Sequence, residues 1–169
     1  AVEITANPLY EVNAEQYQAY NDAMTAMEHE LTEMHTMTNR LFKARVQIDN
    51  LLKTIPEAKS LAKLKAAGKS LSESLKTWDE EMVQRKSKAY DDVENFPNKF
   101  TAEYLILINQ TESDIPRVTQ GSIDRRAELE RQWKELKRRG EQFIDSEIPK
   151  FNQQLWQNKI GAIWAMDEK

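Results

Sequence analysis

Histidines are the first residues of this 169-residue, cysteine-free sequence that could support a metal site. His29 and His35 are six residues apart, which separates them by about 120° around a helix axis, so they cannot share one ligand. His29 and Glu33 together could hold a metal weakly, but neither histidine has the glutamate three residues earlier that di-iron bundle sites use. We therefore expect two surface histidines, no metal and no cofactor.

Paired carboxylates are the second candidate for chemistry. Asp91 with Asp92, and Asp79 with Glu80, have the residue types of an acid–base pair. Such pairs work only where they flank a cleft that shifts their pKa values, whereas these acids alternate with Lys and Arg along predicted helix surface. The sequence also contains no glycine-rich phosphate loop and no nucleophile elbow. These observations predict solvated acids and a chain that is not an enzyme.

Basic residues cluster in residues 124–141, where seven Lys or Arg stand against five Asp or Glu. Nucleic-acid binding is one interpretation of this segment. The acids fall three and four residues from the bases, however, which favours ion pairs along an exposed helix. The net charge of −4 also disfavours a polyanion-binding domain, and no apolar run approaches the length of about 20 residues that spans a bilayer. We expect no nucleic acid and no membrane span.

The first element that positions these groups is a long helix that begins at Asn13. Asn13 and Gln16 have the spacing of a capping box. The residues that follow repeat at three-four spacing and form an apolar seam, as in coiled-coil packing. The seam consists of Tyr17, Tyr20, Met24, Met27, Leu31, Met34, Thr38, Leu41, Arg45, Ile48 and Leu52.

A second helix with the same seam is predicted to start at Thr54. Thr54 has the residue type of an N-cap, Pro56 suits a first turn, and Glu57 stands at the capping-box position. Gly68 lies on the seam, where it costs about 1 kcal/mol relative to alanine, so we expect a packing reason for it. The seam consists of Leu61, Leu64, Gly68, Leu71, Leu75, Trp78 and Met82.

Two further helices complete the predicted fold. A short one covers residues 97–112 and ends before Pro116, and a long one covers residues 119–159. The last seam consists of Ile123, Leu129, Trp133, Leu136, Gly140 and Phe143. Pro149 removes a backbone donor, which predicts a kink there. The sequence thus predicts an all-α, antiparallel up-and-down four-helix bundle with two long helices, one short helix and one long helix kinked at Pro149.

The ends of the chain differ from the bundle of residues 10–160. In residues 1–9, Val2 and Ile4 alternate with polar residues, which is typical of a short strand, although no second strand-like segment follows. This extended segment is either a disordered end or the last strand of an upstream sheet. Residues 161–169 form a C-terminal tail. Because the seams can satisfy one another within one chain, we expect a monomer, with self-association as a coiled coil as the alternative.

The four tryptophans divide into two pairs. Trp78 and Trp133 fall on seams and are predicted to lie in the core. Trp156 and Trp164 lie near the end of the chain, outside a clear seam, and are the candidates for contact with a ligand or partner. No residue is predicted to be catalytic.

Several short motifs share their order with one protein family. They are Asn39-Arg40-Leu41 followed by Gln47 and Ile48, Asn95-Phe96-Pro97, Pro116 with Thr119, and Ile148-Pro149-Lys150-Phe151-Asn152. Together they resemble the C-terminal helical region of bacterial sortilin-type proteins, which carry an Asp-box (BNR-like) β-propeller and are often labelled glycosyl hydrolases. The resemblance covers residues 2–160.

This resemblance implies a non-catalytic structural or interaction module of a larger secreted, periplasmic or cell-surface protein. In such proteins a propeller and a β-sandwich precede the helical region, so residues 2–5 would be the last strand of the sandwich. The partners would be those upstream domains of the same parent chain. No Asp-box repeat occurs in this sequence, so no catalytic residue can be transferred. The alternative function is a carbohydrate- or peptidoglycan-binding bundle that uses Trp156 and Trp164.

Overall fold

Helices make up most of the part of the chain that the structure describes. The structure, a computed structural model, describes residues 2, 5, 8, 9, 11–89, 92, 95–112 and 115–165. The helices are α1 (Ala14–Thr54), α2 (Ala62–Met82, preceded by a 3-10 turn at Lys59–Leu61), α3 (Phe100–Thr111), α4 (Gln120–Gln142) and α5 (Ile148–Gln157). A π-helical turn, Phe143–Glu147, joins α4 to α5, which leaves four helical segments. The predicted all-helical class is confirmed, and the up-and-down order of the segments stays a prediction.

The start of α1 follows the predicted capping box, but its end does not follow the predicted turn. The Asn13 Oδ1 accepts from the Gln16 N–H at 2.8 Å, and the Gln16 Oε1 accepts from the Asn13 N–H at 3.0 Å. The prediction that Thr54 caps the second helix is wrong, because α1 continues through it and its hydroxyl donates to the Leu51 carbonyl. Pro56 forces the residue before it into an extended conformation, so the chain leaves the helix at Ile55.

The linker between α1 and α2 does not form the predicted capping box. Glu57 forms an ion pair with Lys65 instead of capping α2, and Lys65 also donates to the Ile55 carbonyl at 3.1 Å. The Ile55 side chain is buried in the core. Lys65 thus closes the turn between α1 and α2 from the second helix.

The predicted seams form one hydrophobic core. Every predicted seam residue of α2 after Leu61 is buried, and so are four of the six of the last helix. Five of the eleven seam residues of α1 are buried, and the other six are half-buried. Two seam predictions are wrong. Arg45 is half-buried with its guanidinium over the Phe42 ring, and the neighbouring Ala44 is buried in the core. Ile123 is 48% exposed, because the first turn of α4 borders an open groove of about 260 Å³.

Gly68 has the packing reason that its place on the seam predicts. A Cβ atom there would lie 2.8 Å from both Leu52 Cδ2 on α1 and Phe151 Cζ on α5. Gly140 on α4 is crowded in the same way, by Met37 on α1 and by Trp78 Cζ2 at 3.1 Å on α2. The two glycines let neighbouring helices approach more closely than any side chain would allow.

The connections around α3 and α5 place both helices. The prediction that α3 starts at Pro97 is wrong, since its N-cap is Lys99. Thr101, in its first turn, donates to the Met82 carbonyl at 3.0 Å and so satisfies the end of α2. Near Pro149, the α-helical hydrogen-bond register is interrupted by the π-helical turn just before the proline, which stands in the first turn of α5.

The predicted strand at the start of the chain falls mainly on residues 1, 3, 4, 6 and 7, which lie outside the described residues. The C-terminal residues 160–165, here called the tail segment, leave α5 and fold back onto the bundle. Ile163 is only 5% exposed and belongs to the hydrophobic core. The part of the predicted tail up to residue 165 is therefore bound to the bundle.

Candidate functional site

The tryptophans occupy the environments that their seam positions predict. Trp78 is fully buried, and its Nε1 donates to the Leu136 carbonyl at 2.9 Å. Trp133 is buried and stacks on Phe100, with ring centroids 6.2 Å apart. Trp156 and Trp164 are 82% and 65% exposed, more than any other aromatic side chain among the described residues. The first pair stabilises the fold, and the second pair is open to contact.

Trp164 is exposed although its backbone is fixed. The Gln47 side chain of α1 forms two hydrogen bonds with it: the Trp164 N–H donates to Gln47 Oε1 at 3.0 Å, and Gln47 Nε2 donates to the Trp164 carbonyl at 2.8 Å. Asn152 of α5 does the same for Ile163, at 2.7 Å and 2.8 Å. Arg40 Nε donates to the Ala165 carbonyl at 2.7 Å. We call these three polar side chains the tail clamp.

A groove lies between α5 and the tail segment, beside Trp156. It has a volume of about 760 Å³ and is lined by Pro149, Asn152, Gln153, Trp156, Gln157, Ile160, Gly161 and Ala162. Its polar groups are side-chain amides, which carry both hydrogen-bond donors and acceptors but no charge. The groove thus combines an exposed aromatic ring, apolar walls and uncharged polar groups, and it offers no titratable side chain for acid–base chemistry.

The sequence motif that first suggested a metal is not assembled. His29 and His35 are both exposed, as predicted. Glu33 accepts a hydrogen bond from Lys137 Nζ of α4 at 2.6 Å, and this bond raises the pKa of Lys137. Among the described residues, no group of three or more metal-ligating side chains converges. Glu33 therefore joins α1 to α4.

One predicted surface acid is buried. Asp79 is only 2% exposed, so the prediction that it is solvated is wrong; it receives two hydrogen bonds from Arg85, at 2.5 Å and 2.6 Å. The guanidinium of Arg85 also lies 4.0 Å from the centre of the Phe42 ring. Arg85 lies beyond the end of α2, so helical periodicity does not predict this pair, which forms because the chain turns back toward α2 after Met82.

The other predicted acid pair is also structural as far as it is described. The Asp92 carboxylate accepts backbone hydrogen bonds from Lys88 and Ala89, and these bonds hold its pKa below the usual value. Asp91 lies outside the described residues. Asp92 therefore stabilises a loop turn and is already engaged by its own backbone.

The basic segment of α4 forms the predicted ion pairs and additional ones between helices. Within α4, Arg138 pairs with Glu135 at 2.7 Å, and this pairing raises the pKa of Arg138. The pairs that join α4 to other helices are Arg125–Glu103, Arg126–Glu30, Lys137–Glu33 and Arg139–Glu81, at 2.6–2.9 Å. Since these cations are neutralised by neighbouring helices, the segment is a packing surface of the bundle.

A polar network that the sequence did not indicate lies at the centre of this surface. The Tyr104 hydroxyl donates to Glu30, which also accepts from Arg126 at 2.9 Å. Burial, followed by the hydrogen bond to Glu30, raises the pKa of Tyr104. The network joins α1, α3 and α4 and leaves the tyrosine protonated at neutral pH.

Comparison of the chain with protein-family models, with curated proteins and with solved structures finds no match. The resemblance to the sortilin-type family therefore stays a prediction that depends on the short motifs. Within the described part of the chain, none of the helices combines the length and apolar character needed to cross a bilayer.

The tail clamp is the feature that sequence reasoning missed. Arg40 and Gln47 are one heptad apart, so they share a helix face beside the seam of α1. Asn152 belongs to the motif that bends the last helical segment. The available signal was that all three are polar members of the motifs that suggested the family. No local pattern shows that Arg40 and Gln47 bind residues more than a hundred positions away, or that Asn152 binds a residue eleven positions away.

Proposed function

We propose that the chain is a non-catalytic helical interaction module of a larger secreted or periplasmic β-propeller protein. It binds the upstream propeller and β-sandwich domains through the C-terminal aromatic surface around Trp156 and Trp164. The observation that carries this proposal is the exposure of both rings on a backbone that the tail clamp holds in place. Tryptophan dominates binding energy at protein interfaces, and a fixed backbone reduces the entropy lost on binding.

The other candidate sites support a structural role for the rest of the chain. Four basic side chains of α4 are engaged in ion pairs with α1, α2 and α3, and the buried acid Asp79 is neutralised by Arg85. A catalytic acid would need a cleft and an available proton-transfer partner. The exposed indole rings of Trp156 and Trp164 are the candidate contact surface.

The test uses the domains that precede this region in the parent protein, produced separately and titrated with the purified chain. We expect binding that Trp156→Ala and Trp164→Ala each weaken by about 30-fold, the effect of losing about 2 kcal/mol at an interface hot spot. Leu105→Ala, which truncates an exposed apolar side chain on α3, is the matched control and should bind normally. A parent protein without propeller repeats and a β-sandwich would disprove the proposal, and so would hydrolysis of a glycoside by the chain.

A second candidate function is carbohydrate or peptidoglycan binding in the groove beside Trp156. The observation that favours it is the set of amide side chains, Asn152, Gln153 and Gln157, next to an exposed indole ring. Apolar walls with a few placed donors and acceptors are typical of sites for small polar ligands. A glycan-array screen of the wild-type chain, with Trp156→Ala and Trp164→Ala as controls, distinguishes the two functions. Binding that the substitutions remove supports this candidate, and an empty array excludes it.

A further inference from the structure

We propose that the surface under the tail segment is a binding site for an extended peptide, and that the chain's own residues 160–165 are its intramolecular occupant. The ligand class is an extended backbone with an aliphatic residue at the position of Ile163, supplied in trans. This site lies beneath the tail segment. Because Trp164 belongs to that segment, a peptide that displaces the tail would also move Trp164 out of the aromatic surface proposed above.

The contacts of the tail segment are made to its backbone. Five hydrogen bonds of 2.7–3.0 Å join the tail clamp to residues 163–165, and all five use backbone N–H or C=O groups of the tail. Contacts of this kind do not depend on the side chains of the bound segment. They are the contacts by which peptide-binding grooves obtain affinity, while side-chain pockets supply specificity.

The two amides hold opposite edges of the tail segment. In an extended chain, the N–H and C=O of one residue point to one side, and those of the next residue point to the other. Asn152 of α5 binds both groups of Ile163, and Gln47 of α1 binds both groups of Trp164. At residues 163 and 164 the segment therefore lies between α5 and α1, with one edge held from each helix.

Ile163 supplies the side-chain anchor. It is 5% exposed, whereas the neighbouring Ala162 and Trp164 are exposed, so the alternation expected of a strand places one side chain inward. A bound segment would need an aliphatic side chain at this position and would tolerate variation at its neighbours.

The connection to the tail segment contains a left-handed residue, whose cost favours release of the intramolecular occupant. Lys159 has a φ angle of 59°, the only positive value at a non-glycine residue in the described chain. Lys159 stands where the chain leaves α5. Its N–H donates to the Trp156 carbonyl, and the N–H of the next residue, Ile160, donates to the Leu155 carbonyl. This left-handed conformation carries a cost that a separate peptide does not have.

The test measures binding of a fluorescent peptide with the sequence of residues 158–165 to the full chain by anisotropy. The intramolecular tail competes with the peptide, so Ile163→Asp, which removes the tail's own anchor, should strengthen peptide binding by about tenfold or more over wild type. In the same background, Gln47→Ala with Asn152→Ala should abolish binding. Gln154→Ala, which removes an exposed amide of α5 that does not line the groove beside the tail, is the matched control and should have no effect.

Two changes to the peptide test the contacts from the other side. Methylation of the nitrogen at the Trp164 position removes the donor to Gln47, and aspartate at the Ile163 position removes the anchor; each should weaken binding by about tenfold or more. Binding that is insensitive to the clamp substitutions overturns the proposal, as does no binding to an Ile163→Asp chain whose circular dichroism matches wild type.

If Ile163→Asp fails to fold, the wild-type chain decides the matter. Excess peptide, up to about 1 mM, should then shift the side-chain amide resonances of Gln47 and Asn152 in NMR spectra. Unchanged resonances at that concentration would overturn the proposal.

Discussion

Replacing Gly68 by alanine tests whether α2 is held against its neighbours at a distance that admits no side chain. The new Cβ would lie 2.8 Å from Leu52 Cδ2 and 2.8 Å from Phe151 Cζ, both closer than carbon atoms approach without displacement. Leu52 is half-buried and can rotate, whereas the Phe151 ring is buried in the core. The strain therefore falls mainly on the contact between α2 and α5.

The magnitude follows from two opposing terms. Alanine is favoured over glycine in a helix interior by about 1 kcal/mol. Overpacking a dense core costs about 1–3 kcal/mol, and the buried ring places this site in the upper part of that range. We expect Gly68→Ala to lower the free energy of unfolding by about 1–2 kcal/mol, or Tm by about 2–8 °C for a domain of this size.

Gly121→Ala is the matched control, because Gly121 lies in the first turn of α4 and only Thr119 Oγ1, at 3.8 Å, would be near a new Cβ. It should stabilise the chain by up to about 1 kcal/mol. The assay is urea unfolding followed by circular dichroism at the helical minimum. The reasoning is wrong if Gly68→Ala is as stable as the wild-type chain or more stable.

Three further predictions concern the left-handed residue Lys159, the polar network of Tyr104 and the buried acid Asp79. Lys159→Gly should raise the free energy of unfolding by about 0.5–1 kcal/mol in urea titrations by relieving the left-handed conformation, while Lys159→Ala should not. Because the pKa of Tyr104 is raised above its ordinary 10.0, the unfolded chain loses that proton first. Stability should therefore fall as the pH rises above 10.0, and Tyr104→Phe should flatten that part of a stability–pH profile; parallel profiles would contradict the raised pKa of Tyr104. Arg85→Ala should lower the free energy of unfolding by about 1–3 kcal/mol because it leaves the Asp79 carboxylate buried without a partner, and Arg85→Lys should restore only part of the loss in thermal melts. An Arg85→Ala chain with an unchanged Tm would show that the pair contributes nothing.

Local patterns were sufficient for the elements whose determinants are close together in sequence. The capping box of Asn13 and Gln16 has the predicted reciprocal hydrogen bonds, because both partners lie within one helical turn. The seam of α2 is buried as predicted, because a three-four repeat places its members on one face of any helix. The place of Gly68 on that seam correctly indicated a close helix contact.

Local patterns failed where two rules competed. Thr54 is a good N-cap, but the restriction that Pro56 places on Ile55 ends α1 just after the threonine and leaves it inside the first helix. Asp79 stands among charged residues on α2, so its sequence neighbours indicate an exposed face. Its burial depends on Arg85, which lies beyond the end of α2 and whose guanidinium lies over the Phe42 ring of α1.

The sequence by itself determined an all-helical chain, its main apolar faces, the exposure of Trp156, and the pairing of charges within α4, since each of these depends on residues within a few turns of one another. The tertiary structure decided which helices those faces meet, the polar network of Tyr104, and the binding of the tail segment by Arg40, Gln47 and Asn152. The physical reason is that no local sequence pattern signals a hydrogen bond between residues as distant as Gln47 and Trp164. It forms only after α1 and α5 have both packed against α2, which brings residues 47 and 164 together.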